Sequence, residues 1–210
     1  MDAMTKTLPS YREDGALMIE VLVTIVILAI GLLGLMQLQG QLQKSEMESY
    51  QRTQALMLVS DMASRLEANR ANAVDYVLGD PNDPSNLLDP TPIGGVDMSC
   101  DDIPTTTMAG KDISEWCNAL QGAAEETTTN NKVGAMLGAR GCVHGISGRE
   151  YLVSVVWQGL APVSAPPAGV ACGKLSPNPY DDNSGAGLDC QSDLCRRYVT
   201  TIVRFGVLPP

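Results

Sequence analysis

An α+β chain, with one long N-terminal helix backing a small antiparallel sheet, is the fold class that the sequence predicts. Three observations carry that expectation. No proline occurs from Ala16 to Asp80, and apolar residues in that stretch recur at helical spacing. Runs rich in β-branched and aromatic residues, "GARGCVHGI", "REYLVSVVWQG" and "CRRYVTTIVRFGVL", follow between turn-forming residues. All six cysteines lie downstream of a single apolar run, which suits a cross-linked domain on the oxidising side of a membrane.

The helix has two kinds of surface. From Val21 to Met36, only Thr24, Gly31 and Gly34 interrupt the apolar residues; adding Ala16 to Ile19 gives about 20 residues, enough helix to cross a hydrocarbon core of about 30 Å. A cleaved secretory signal would be shorter and would end in small residues at A-x-A spacing, whereas "MQLQGQLQK" follows here. Lys6 and Arg12 precede the span, which favours a cytoplasmic N-terminus and places the cysteines on the far side. Beyond it, Met47, Tyr50, Ala55, Leu58, Val59, Met62, Leu66, Ala73, Val74 and Val77 recur at spacings near three and four, forming an amphipathic stripe. Gly79-Asp80-Pro81 is the stop signal, so the expectation is one helix of about 60 residues, roughly 90 Å long.

Residues 80 to 110 are rich in Pro, Asp and Thr, contain no Lys or Arg before Lys111, and read as a long connection. "KDISEWCNALQGAAEE" (111–126) puts Ile113, Trp116, Cys117 and Leu120 on one helical face, and "TTTNN" ends it. The next two runs predict a hairpin turning at Ser147-Gly148, with Tyr151, Val153, Val155 and Trp157 on one face of its second strand. A loop from Gly159 to Asp193 leads to a last strand. The stripe from Met47 to Val77 supplies the apolar surface on which such a sheet can pack.

Composition excludes several functions. A net charge of −10 over 210 residues does not suit a nucleic-acid binder, which needs clustered Lys and Arg. Cys100, Cys117, Cys142, Cys172, Cys190 and Cys195 are candidate disulfide residues; six cysteines allow 15 connectivities, and spacing singles out only the short ring that "CQSDLC" would close. Buried free thiols are the alternative. No C-x2-C pair exists and His144 is the sole histidine, so no metal site is expected. His144 lacks a neighbouring nucleophile and carboxylate in sequence, "GISGRE" is not a nucleophile elbow, and no phosphate-binding glycine pattern occurs. The acidic loops "DPNDPSNLLDP" and "DDNSGAGLD" do not match a calcium loop. No catalytic residues and no cofactors are expected.

One charge does stand out. Glu20 lies in the apolar run, and no other charge follows until Lys44. A carboxylate within a membrane helix costs a few kcal/mol at the centre and less near the interface, so it is a functional residue by default. The alternative is a glutamate that snorkels to the headgroups.

The arrangement "G-ALMIE" resembles the type IV prepilin signal: a polar leader, a glycine before the cut, an apolar helix and a glutamate at the fifth residue after it. "IEVLVTIVILAIGLLGLMQLQ" resembles most the minor pilins of the type IV pilus modification class (PilV), and "EWCNAL", "GARGCV", "YLVSVVWQG" and "CRRYVTTIV" are similar to segments of that class. Ala16 stands where phenylalanine is usual in the family. The resemblance implies a pilin-like fold divided into a cleaved leader (1–15), a transmembrane and assembly half of the helix (16–42), an amphipathic half (43–79) and a periplasmic head (80–210). It implies cleavage after Gly15 by a prepilin peptidase, N-methylation of Ala16, and pairing of Glu20 with the new amine of a neighbouring subunit. It further implies a single-pass inner-membrane precursor that enters the pilus, with other minor pilins and a tip adhesin as partners. The role would be priming of pilus assembly near the tip, supporting twitching motility and adhesion. A pseudopilin of a type II secretion system shares the signal and helix and is the alternative; a membrane-anchored periplasmic enzyme is the third reading.

Overall fold

The computed structural model describes residues 14–77, 92–94, 100–122, 136–174, 178–181 and 190–206, with side chains from 18 onward. Most of the leader, the expected stop at Gly79-Asp80-Pro81, most of the 80–110 connection, "TTTNN" and parts of the 159–193 loop lie outside the described residues.

The first element is the helix α1, Asp14–Ala68, of 55 residues. The chain divides into two units, Met1–Glu46 and Met47–Pro210. In the first unit α1 is apolar on every side, long and apolar enough to cross a membrane, and none of its apolar window is buried by protein. Thr24, the one hydroxyl residue between Val21 and Met36, is satisfied within the helix: its Oγ1 donates to the Val21 carbonyl at 2.8 Å.

In the second unit α1 lays Ala55, Val59, Met62 and Leu66 into the core, with Leu58 half-buried beside them. Of the expected stripe, Met47, Tyr50 and Val74 are exposed instead, and Gln51 is buried. The helix also ends earlier than its spacing predicts. α1 stops at Ala68 and a 3-10 segment, Arg70–Tyr76, follows. Asn69 and Asn72 leave helical geometry (φ/ψ −113/38° and −117/28°). Asn72 Nδ2 donates to Asn69 Oδ1 at 2.9 Å, and Asn69 Nδ2 donates to the Tyr76 hydroxyl at 3.2 Å. Asparagine side chains compete for such local bonds, so absence of proline and glycine did not suffice to keep the helix going. The amphipathic part expected over 43–79 is thus α-helix to Ala68 and a 3-10 segment from Arg70 to Tyr76 among the described residues.

The head is a four-stranded antiparallel sheet in the order β1-β2-β3-β4, with β1 Ile93–Gly94, β2 Arg140–Ser147, β3 Glu150–Gln158 and β4 Arg196–Arg204. β2 and β3 form the expected hairpin, but Ser147 pairs with Glu150, so the turn is Gly148-Arg149. β1, two residues within the expected connection, was not foreseen; it pairs with Gly141 and Arg140. The second helix, α2 (Met108–Leu120), starts three residues before the expected segment because Thr107 caps it, accepting from the Gly110 amide at 3.0 Å.

The core lies between the sheet, α2 and the second part of α1. Ile113, Trp116 and Leu120 of α2 meet Val143, Val153, Val155 and Trp157 of the sheet. Trp116 Nε1 donates to the Leu58 carbonyl of α1 at 2.9 Å, which satisfies the buried indole. Gly141 makes room for that ring: a Cβ there would stand 2.3 Å from its Cη2. Arg65 adds a polar link, donating to Asp61, to Asp112 at 2.9 Å and to Glu115 at 2.7 Å.

Candidate functional site: an apolar helix with one carboxylate

The residues singled out in the sequence fall in two places. Gly15 and Ala16 lie in the first turn of α1, and Glu20 follows about one turn later, exposed. Every described residue from Met18 to Met47 is exposed within the chain. At Gly31, Gly34 and Gly40 a Cβ would meet nothing within 4 Å. Exposed leucine, isoleucine and valine stand on every side of this stretch, which is long and apolar enough to cross a membrane. Glu20 is the only charge in this run before Lys44.

The six cysteines form three disulfides: Cys100–Cys117, Cys142–Cys172 and Cys190–Cys195, with none free. The first joins the 3-10 turn Cys100–Asp102 to α2; the second ties β2 to the loop after β3; the third closes the short ring ahead of β4. The second bridge belongs to a separate small core with Val156, Val170 and Tyr180.

Two arginines that the sequence reading passed over hold this end together. Arg196 is buried; its Nε and Nη2 clasp both oxygens of Asp193 at 2.6–3.0 Å, and its Nη1 donates to the carbonyls of Val170 (2.9 Å) and Cys172 (2.7 Å). Burial pulls the Asp193 pKa upward, but donation from Arg196 and Asn178 and the positive charges of Arg196 and Lys174 outweigh it, leaving the carboxyl below its ordinary value. Arg197 donates to Glu48 Oε1 (3.1 Å) and to the carbonyls of Ala161 (2.7 Å) and Leu194 (3.2 Å). That cluster pins the loop and β4 to the start of the striped part of α1. The only signal for it was the pair "RR" after a cysteine at a strand start.

His144 sits half-buried in β2 opposite Leu152, and burial lowers its pKa, so it is neutral at physiological pH. It makes no side-chain hydrogen bond among the described residues. No three His, Cys, Asp or Glu side chains among the described residues are grouped to hold a metal.

No known protein-family model, curated protein or solved structure matches this chain. What fold and site define is therefore an α+β protein with one apolar N-terminal helix, long enough to cross a membrane, and a disulfide-stapled head.

Proposed function

We propose that this chain is a minor pilin, a membrane-held precursor processed after Gly15 that joins other minor pilins to prime a type IV pilus. The observation that carries the reading is the lone Glu20 near the start of an apolar helix that the rest of the chain leaves uncovered. Removal of the leader creates an amine at Ala16. A neighbour's amine neutralises Glu20 in an apolar bundle, where leaving the carboxylate unpaired costs a few kcal/mol, and that pairing fixes the axial register of subunits. The same helix serves as membrane anchor before assembly and as packing surface after it. The disulfides and the Arg196 clamp keep the head folded outside the cell, where other minor pilins and a tip adhesin are its neighbours.

The test is a deletion strain complemented with the wild-type chain or with Glu20→Ala, scored for surface filaments and twitching. Deletion is expected to remove or strongly reduce both. Glu20→Ala is expected to reach the membrane at wild-type levels without restoring them. Normal filaments together with failed enzyme export would transfer the chain to the secretion pseudopilins and refute the pilus reading.

A further inference from the structure

β4 is the outer strand of the sheet, and its free edge opens onto a cleft. Which of its backbone groups face outward follows from two bonds at the ends of the β3–β4 ladder. The Gly159 amide donates to the Cys195 carbonyl (2.7 Å) and the Phe205 amide to the Arg149 carbonyl (3.0 Å). Both β4-side residues are odd-numbered, so 197, 199, 201 and 203 exchange bonds with β3. The amides and carbonyls of Tyr198, Thr200 and Ile202 therefore point away from the sheet, and no described strand pairs with them.

The cleft, about 540 Å³, lies along that edge and is lined by Tyr198 and Thr200, by Arg52 and Leu56 of α1, by Val163, and by Trp157 of β3. Three of its features call for a ligand. Arg52 is exposed and has no ion pair among the described residues. Leu56, Val163 and Tyr198 are exposed apolar surface beside it. Trp157 is only 3% exposed, yet its Nε1–H has no hydrogen-bond partner among the described residues, a loss that an acceptor reaching it would relieve.

We infer that the cleft is a docking groove for an extended acidic segment of another protein, added as a further strand along β4. Its backbone pairs with Tyr198, Thr200 and Ile202, a carboxylate meets Arg52, and an apolar side chain covers Leu56 and Val163. Strand addition takes affinity from main-chain bonds and specificity from alternate side chains, and this groove offers both; of its three lining arginines, Arg196 and Arg197 are held by Asp193 and Glu48, which leaves Arg52 to select the sign of charge. The inference stands apart from the pilus reading, since it uses only the Met47–Pro210 unit.

The experiment uses the full chain in detergent micelles and a fluorescein-labelled peptide, Glu-Val-Thr-Val-Glu-Val, with a Lys-for-Glu counterpart. Anisotropy is expected to show binding of the acidic peptide only, with amides of Tyr198, Thr200 and Ile202 slowed in hydrogen exchange. Arg52→Glu should weaken that binding at least tenfold and admit the basic peptide. Thr200→Pro should fold normally, because the lost amide faces outward, and should abolish binding. Equal binding of both peptides, or binding that survives both substitutions, overturns the inference. So does concentration-dependent self-association that Arg52→Glu removes, which would assign the groove to a second copy.

Discussion

Arg196→Leu should destabilise the head by about 3–5 kcal/mol, the usual cost of stranding one member of a buried ion pair. The substitution removes five donated hydrogen bonds, three to Asp193 and two to the carbonyls of Val170 and Cys172, and leaves a buried carboxylate with no cation on it. For a unit of this size each kcal/mol moves the midpoint by about 2–4 °C, so a fall of roughly 6–20 °C is expected in thermal unfolding followed by near-ultraviolet circular dichroism. Asp193→Asn isolates the charge, because asparagine keeps an acceptor oxygen and tolerates the left-handed φ of 66°. The folded-state pKa of Asp193 lies below its unfolded value. Its contribution is thus fully present above the unfolded value, near pH 4, and disappears as pH falls through the folded one. The stability gap between wild type and Asp193→Asn should close in that acid window. A loss below about 1 kcal/mol for Arg196→Leu, or a gap that stays constant down to pH 2, would show that the Arg196–Asp193 pair does not hold the head together.

Three further outcomes follow from the packing. Loop entropy ranks the bridges: removing Cys142–Cys172, which spans 30 residues, should cost about 3.5 kcal/mol, against about 2 kcal/mol for Cys190–Cys195, which spans 5, as read from urea midpoints of the paired Cys→Ser variants. Burial and donation to Asp112 push the Tyr76 hydroxyl up to about 12, so the folded state holds that proton more tightly than the unfolded one. Stability from this group should persist below about pH 10 and fall away as pH rises through about 12, and Tyr76→Phe should remove that part of the alkaline loss. Gly141→Ala should cost about 1–3 kcal/mol by driving a methyl group into the Trp116 ring, with a matching fall in urea midpoint.

Much of this fold was legible because single periodicities governed single elements. The face of α2 (Ile113, Trp116, Cys117, Leu120) and that of β3 (Tyr151, Val153, Val155, Trp157) are buried as their spacing predicts. Where competing local interactions decided the outcome, spacing was insufficient. Asn69 and Asn72 broke a helix that neither proline nor glycine interrupted. β1 was hidden because two residues carry no period, and Ile93 and Gly94 form a strand only through Arg140 and Gly141. Among site residues, Glu20 was visible as an isolated charge in an apolar run. Arg196 and Asp193 were not, since a buried ion pair three residues apart looks like any polar turn until the loop carrying Val170 and Cys172 closes over it.

The proposed function needs both processing of the precursor and its entry into a filament, and mass spectrometry of sheared, purified surface filaments tests both together. The expected result is a peptide that begins at N-methylated Ala16 in the filament fraction, with no peptide crossing the Gly15–Ala16 bond. An uncleaved Gly15–Ala16 bond in every cell fraction, or a processed chain found only in the inner membrane, would contradict it.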